Sequence, residues 1–269
     1  MRRWFFILFG LWLTGSHAQP ADSLWNRANR LYRQQKYAEA LDTYRQLEKN
    51  DSVSAELYYN MGNAAYKMNK KALSIYYYKK ALQLKPHYAK ARHNLDLIRR
   101  SLVDRIEPAP VPFYRKLWLR WTGLWDVYVW GVLSLVLIWL AFAWALAYLL
   151  TAKPALKRLF FVLSWLTLAA WALAFVSFRS AARRAQQVEA VVAVEETAVY
   201  PRPGFDAAPE GKLHEGTTVR ILQQQGEWFK ARTADGHTFW LPGNTVMLLR
   251  PWPNNPPTAE TPAPADSAP

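Results

Sequence analysis

The chain has 269 residues, of which 51% are hydrophobic, 14 are tryptophan and none is cysteine. The lack of cysteine excludes disulfides, thiol nucleophiles and a lipidated cysteine anchor, and the five histidines show no metal-ligand spacing, so we expect no cofactor. A net charge of +14 would favour nucleic acid in a soluble protein. Here the basic residues flank two apolar runs, so we expect membrane lipids as partners and no nucleic acid.

The first eighteen residues have the three parts of a secretory signal peptide. A basic pair at positions 2 and 3 precedes the apolar stretch from Trp4 to Leu13, and Ser16 and Ala18 supply small residues for a signal peptidase. We therefore predict that 1–18 is a signal peptide cleaved after Ala18. The alternative is an uncleaved signal anchor. In either case the residues that follow would be exported.

A period of 34 residues runs through the segment from 22 to 106. Five sets of residues recur at this offset: Ala28-Asn29 as Gly62-Asn63, Tyr32 as Tyr66, Ala40 as Ser74, Tyr44 as Tyr78, and Leu47 as Ala81. The period predicts two helix pairs, closed by Pro86, and a capping helix. The predicted helices lie near 22–35, 37–49, 54–68, 71–84 and 87–104.

This segment resembles the tetratricopeptide repeat family. The resemblance implies an all-α solenoid of helix hairpins, two repeats plus a cap, that binds partner proteins in a groove. The family's peptide-binding positions map onto Asn26, Asn29, Arg33, Asn60, Asn63, Lys67, Lys90 and Asn94. Amide and basic side chains at these positions imply a groove that holds a peptide carboxylate. The alternative is that Asn29 and Asn63 only tie helices together or face solvent.

Two apolar runs without a charged residue, Val127–Leu150 and Leu159–Phe178, dominate the middle of the chain. About 20 helical residues cross the hydrocarbon core of a bilayer, so both runs predict transmembrane helices. A Pro/Trp-rich linker at 107–124 leads into them, and its Pro-alternating part at 107–113 is expected to be extended. The hairpin would leave both flanking segments on one side of the membrane, which the signal peptide makes the periplasm. Two buried helices of a soluble core are the alternative.

Beyond residue 184, short apolar-polar alternations separated by Gly, Asp-Gly and Pro predict strands. They indicate a small all-β barrel at 187–250. The motifs LHEGT, GEWFKA and DGHTFWLP occur there in order and resemble the bacterial SH3 domain. That resemblance implies a ligand groove formed by Tyr200, Trp228 and Trp240, whereas the alternative is that both tryptophans fill a small core. Residues 251–269 are Pro-rich, which is typical of disorder.

Taken together, the order of these segments resembles the BatE-type proteins of the Bat (aerotolerance operon) group. The resemblance implies a two-pass protein of the bacterial cytoplasmic (inner) membrane with both soluble domains in the periplasm. It implies assembly with other membrane proteins, including Bat proteins with von Willebrand A domains, and a link to stress or oxygen tolerance. No Ser-His-Asp set, metal spacing or phosphate loop is visible, so we expect a scaffold and not an enzyme. The alternative function is peptidoglycan binding or sensing through the SH3-like domain.

Overall fold

A computed structural model describes residues 20–251, which form two compact units divided after Val103. The predicted signal peptide and the tail from Trp252 onward lie outside the described residues. The first unit consists of helices that follow the predicted pairs, except that the last ends at Arg100 instead of residue 104. Their bounds are α1 Pro20–Arg33, α2 Tyr37–Lys49, α3 Ala55–Lys67, α4 Lys71–Leu84 and α5 Ala89–Arg100.

The turn inside each helix pair is built in the same way. Gln35 after α1 and Asn69 after α3 adopt left-handed backbone angles, with φ of 63° and 59°. The amide of the next residue then donates back to a helix carbonyl at 3.0 Å, from Lys36 to Leu31 and from Lys70 to Ala65. These bonds satisfy carbonyl groups that a helix end leaves open. The same stop signal therefore recurs after 34 residues.

Small residues let the two helices of a pair approach closely. A Cβ atom on Gly62 would lie 2.6 Å from the ring of Tyr78, closer than real Cβ contacts allow. The Ser74 hydroxyl donates to the Gly62 carbonyl at 2.8 Å, across the same crossing of α3 and α4. Ala28 and Ala40 are fully buried in the first pair. The recurring small residues of the sequence are therefore explained by close packing of helix on helix.

The second unit begins with three helices, α6 (Phe113–Thr122), α7 (Val127–Leu150) and α8 (Pro154–Ala185). Asp126 caps α7 by accepting from the Val129 amide at 2.9 Å. Only three residues, 151–153, separate α7 from α8, and the helices pack antiparallel, with Trp144 stacked on Phe160 at 5.7 Å between ring centroids.

Helices α7 and α8 are long and apolar enough to span a membrane. Their buried positions are few and mostly small: Trp130, Ser134, Ala141, Ala174, Ser177 and Ala181. Large side chains such as Trp139 and Trp165 are instead exposed. Core helices of a soluble protein are mostly buried, whereas within residues 104–251 these two helices are largely exposed.

The Pro-rich residues 107–112 lie outside any helix or strand, and α6 begins directly after them. Phe113–Thr122 is helical, because the prolines end at Pro112 and the ten residues after it contain none. Helix α8 also continues past the predicted span, from Pro154 at its first turn to Ala185. The basic residues after Phe178 extend the helix because no Gly or Pro stops it.

The C-terminal part of this unit is strand-rich and antiparallel. Its elements are β1 Val188–Val192, β2 Glu196–Val199, β3 Gly211–His214, β4 Thr218–Gln225, β5 Trp228–Arg232, β6 Thr238–Pro242, a 3-10 turn Gly243–Thr245 and β7 Val246–Leu248. Five strands form one sheet in the order β6-β5-β4-β1-β7, and β2 and β3 form another. Apolar residues of both sheets, including Val199, Leu213, Phe229 and Leu241, share one core.

These strands do not form the single closed barrel that the sequence predicts. The two-stranded sheet joins the larger one through a single residue pair, Tyr200 with Trp240, whose amides and carbonyls exchange two bonds of 2.8 Å. At the other edge, β7 has three residues and pairs with β1. The chain after β2 leaves the sheet for an irregular loop before β3, which prevents continuous pairing with β6.

Residues 104–109, called here the anchoring segment, pack against the strands. Asp104 Oδ2 accepts from the His214 amide at 2.7 Å and from the Thr217 hydroxyl at 2.6 Å, and Oδ1 lies 2.7 Å from His214 Nδ1. Ile106 contacts the apolar core, and the Ala109 amide donates to the Ala234 carbonyl at 3.1 Å. Residues 104–106, which the sequence assigned to the helical repeats, therefore pack with the strands.

The hydrogen bonds of Asp104 predict acid-sensitive packing of the anchoring segment. Burial alone would raise the pKa of Asp104, but the bonds from Thr217 and His214 outweigh it and lower that pKa below its usual value. A lowered pKa stabilises the folded state above the unfolded value of about 3.9, and the stabilisation is lost as pH falls through the folded pKa. We expect Asp104→Asn to destabilise this unit by about 2 kcal/mol at pH 7 and by much less at pH 2.5.

Thermal unfolding of the full chain in detergent, followed by near-ultraviolet circular dichroism at both pH values, checks this. Asp206→Asn is the matched control, because Asp206 is exposed and pairs with Arg202 at the surface. Its melting temperature should match that of the unchanged protein at both pH values. An Asp104→Asn deficit of equal size at pH 7 and pH 2.5 would contradict the role of the charged carboxylate.

Candidate functional site

Asparagine and tyrosine side chains form a repeated hydrogen-bond ladder in the helical unit. Tyr44 donates to Asn29 Oδ1 at 2.6 Å, and Tyr78 donates to Asn63 Oδ1 at the same distance. The next asparagine along the stack adds a second donor to each oxygen, Asn60 to Asn29 at 3.4 Å and Asn94 to Asn63 at 3.0 Å. Corresponding members are 34 residues apart, so each repeat contributes one rung.

The tyrosines of the ladder are buried donors. Burial raises the pKa of Tyr44 and of Tyr78 to about 12 each, so both hydroxyls keep their protons at neutral pH. Each ring also contacts an aromatic residue of the preceding helix, Trp25 with Tyr44 and Tyr59 with Tyr78, both at 5.9 Å between ring centroids. The ladder thus joins α1, α2, α3, α4 and α5 through polar and aromatic contacts.

The predicted groove residues fall into two groups. Half-buried Asn29, Asn60, Asn63 and Asn94 are brought together in the ladder, where both carbonyl oxygens of Asn29 and Asn63 are occupied. The second group is exposed and consists of Asn26, Arg33, Lys67 and Lys90.

The exposed basic residues lie beside the ladder. Arg33 and Lys67 are each four residues after a ladder asparagine, on the same face of α1 and α3, and Lys90 precedes Asn94 by four on α5. Arg33 and Lys67 are 34 residues apart and therefore form a basic row on one side of the ladder, whereas Lys90 lies toward the other end of its helix. Ammonium and guanidinium groups at solvent next to amides can bind carboxylates of a partner chain. Sequence reasoning did not include Tyr44 and Tyr78 in the site, although their 34-residue offset was visible.

In the strand-rich part, Tyr200, Phe205 and Trp228 form an aromatic cluster. Ring centroids are 5.4 Å apart for Tyr200 and Trp228, 5.8 Å for Tyr200 and Phe205, and 4.8 Å for Phe205 and Trp228. Tyr200 directly follows β2, Phe205 lies in the loop after it, and Trp228 begins β5. Phe205 is 72% exposed, which makes the cluster accessible to a ligand.

The third predicted groove residue, Trp240, lies in a different setting. It is only 7% exposed, and the Lys230 ammonium is 5.9 Å from its ring centroid. The structure therefore brings Tyr200 and Trp228 together with Phe205, while Trp240 is buried on β6. Phe205 was missed because it lies in an irregular loop, where no period marks its partners. The preceding Gly204, with φ of 120°, is a local sign of the turn that returns Phe205 to Trp228.

Neither surface has the chemistry of a metal site. Within residues 20–251, no group of three or more His, Asp or Glu side chains could hold a metal ion. The arrangements described above offer hydrogen bonds, cations and aromatic faces, which are means of recognition.

Comparison with protein-family models identifies the repeats. Residues 55–88 match the tetratricopeptide repeat model, and residues 28–69 match a second model described as TPR repeat. Both matches lie in the helical unit, and together they cover the two rungs formed by Asn29 and Asn63. Searching the curated proteins gave no match. The prediction of tetratricopeptide repeats from the 34-residue period is confirmed. This repeat is a non-catalytic scaffold type and indicates protein partners in general.

The ladder predicts a structural role for the Tyr78 hydroxyl. Tyr78→Phe removes the bond to Asn63 and the 3.1 Å bond from Asn94, so we expect the free energy of unfolding to fall by about 1 to 2 kcal/mol. Urea unfolding of residues 20–103, followed by far-ultraviolet circular dichroism, measures this change. Tyr66→Phe is the control, because Tyr66 is exposed. Equal stability of the two variants would show that the ladder does not stabilise the unit.

Proposed function

We propose that this protein is a membrane-anchored scaffold for protein–protein interaction. The helical unit binds partner proteins, and the α7–α8 hairpin holds it in the membrane. The observation that carries the proposal is the basic row of Arg33 and Lys67 beside the asparagine ladder of tetratricopeptide repeats. Acidic side chains or a terminal carboxylate of a partner fit this row by charge.

We further propose a location and a group of partners. The signal-peptide pattern and the hairpin support an inner-membrane protein with both soluble units in the periplasm. The order of segments supports membership of a Bat-type assembly, which includes proteins with von Willebrand A domains and is linked to stress or oxygen tolerance. In this proposal the chain supplies contacts and not catalysis.

A charge reversal in the basic row tests the scaffold. Lys67→Glu places a negative charge where the proposed partner is acidic, so we expect recovery of partner proteins to fall about tenfold. Tagged full-length protein is purified from membranes, and co-purifying proteins are quantified by mass spectrometry. Lys49→Glu is the matched control, because Lys49 is also an exposed lysine in the last turn of a helix, but on α2.

Recovery with Lys49→Glu should equal that of the unchanged protein. Equal loss in both variants would indicate a general effect of charge and contradict binding at the basic row. Co-purification of von Willebrand A-domain proteins would support the Bat-type assembly. If no von Willebrand A-domain protein is among the partners lost with Lys67→Glu, the Bat-type assembly is contradicted, while the general scaffold role is not.

The aromatic cluster favours a second function, binding of cell-wall peptidoglycan by an SH3-like domain. Exposed aromatic rings bind ligands with large contact area and little loss of side-chain entropy. Tyr200, Phe205 and Trp228 form such a surface, and the motifs of this part resemble the bacterial SH3 domain. Lys230 lies two residues after Trp228 on β5 and adds positive charge near the cluster.

Sedimentation with purified peptidoglycan tests this second function. We expect Phe205→Ala to lower the bound fraction about tenfold, because an exposed anchoring ring is lost while the core is unchanged. The full chain in detergent is required, since the anchoring segment would be missing from a fragment that starts at residue 185. Leu222→Ala, at an exposed position of β4, is the control. Equal sedimentation of Phe205→Ala and the unchanged protein would contradict wall binding at the cluster.

A further inference from the structure

Helix α6 presents an apolar surface that the rest of its unit leaves exposed. Phe113, Tyr114 and Leu117 are 82%, 66% and 63% exposed. Phe113 and Leu117 are four residues apart and therefore share one face of the helix. A short helix with such a face in water would be costly, since burial of these side chains is favourable.

Two tryptophans fix α6 to the end of the second span. Trp118 Nε1 donates to Ser180 Oγ at 3.3 Å, and Trp121 Nε1 donates to Ser177 Oγ at 3.2 Å. These serines flank Phe178, where the apolar run of α8 ends and its basic residues begin. Helix α6 is therefore held at the level where a bilayer changes from hydrocarbon to headgroups.

The apolar face continues into the first span. Leu124, Trp125 and Tyr128, at the connection and the first turn of α7, are all exposed. The surface of α6 is thus continuous with the surface that α7 offers to lipid. Trp and Tyr at this level are typical of membrane–water interfaces.

The polar positions of α6 are basic. Arg115, Lys116 and Arg120 are exposed, and the helix contains no acidic residue. Arg184 at the end of α8 adds a fourth cation beside them, where its guanidinium donates to the Thr122 carbonyl at 2.9 Å. Positive charge next to an apolar face fits an anionic lipid surface.

We propose that α6 is an interfacial helix that lies in the headgroup region of the bilayer. Phe113, Tyr114 and Leu117 enter the boundary of the acyl chains, while Arg115, Lys116 and Arg120 bind anionic phospholipid headgroups. The protein then has a third membrane-bound element in addition to the two spans. This inference rests on the proposed membrane anchoring by α7 and α8.

Single spin labels test the position of α6 in the full chain. The protein has no cysteine, so each introduced cysteine is the only labelling site. Leu117→Cys reports the apolar face, and Arg115→Cys, two residues away, reports nearly the opposite side. Leu140→Cys in the middle of α7 and Gln225→Cys at the end of β4 give the hydrocarbon and aqueous references. All four positions are exposed in the protein, so labels do not disturb a core.

Labelled protein is reconstituted in vesicles of phosphatidylglycerol and phosphatidylcholine. Collision with oxygen, which concentrates in lipid, is compared with collision with a water-soluble nickel chelate. We expect the oxygen-to-nickel ratio of the Leu117 label to lie between the two references and at least threefold above that of the Arg115 label. A Leu117 ratio equal to that of Gln225, with a high ratio at Leu140, would overturn the interfacial helix and leave the spans intact. A water-like ratio at Leu140 would overturn both proposals.

The lipid charge is tested in the same system. In the Leu117→Cys background, Arg115→Gln, Lys116→Gln and Arg120→Gln together should lower the oxygen-to-nickel ratio in anionic vesicles to its value in pure phosphatidylcholine. Equal ratios in the two lipids for the protein with its basic residues would overturn headgroup binding. A Leu117 label exposed in vesicles of purified protein but shielded in native membranes would identify a protein partner instead, and would overturn the lipid assignment.

Discussion

The outer faces of α7 and α8 carry leucine, valine, phenylalanine and tryptophan side chains that the rest of the described chain leaves uncovered. Such surfaces are costly to expose to water, and the other parts of the unit lie at the end of the hairpin where its apolar surface stops. Trp118 and Trp121 bind the end of α8, Arg184 reaches the carbonyl of Thr122, and Arg250 donates to the Ala185 carbonyl at 2.5 Å. The start and the end of the hairpin are thereby joined.

Because the two ends of the hairpin are joined, the strand-rich part can include residues from both sides of the hairpin. The anchoring segment precedes α6, and β1 follows α8 after two residues, 186–187, yet both pack in one unit. The hairpin is in effect an insertion into a domain whose first residues are 104–109. An insertion is tolerated where its two ends lie close together at the surface. The three bonds of Asp104 and the apolar contact of Ile106 hold the early part of this divided domain in place.

Sequence reasoning succeeded where structure follows a period. The 34-residue repeat located the helix pairs, uncharged apolar runs located α7 and α8, and alternation located most strands, because these patterns record contacts made over short distances along the chain. It failed where contacts join distant segments. Asp104 with His214, Trp118 with Ser180, and Phe205 with Trp228 have no shared period, so nothing local marks them. The small sheet of β2 and β3 was merged into a barrel for the same reason.

The sequence placed asparagine and basic residues in one groove, but the structure gives them two different roles, helix packing and exposure to a ligand. The amide oxygens of Asn29 and Asn63 each accept two hydrogen bonds from within the unit, which makes these residues part of the helix packing. A ligand would then be recognised by the exposed cations of Arg33 and Lys67 beside them.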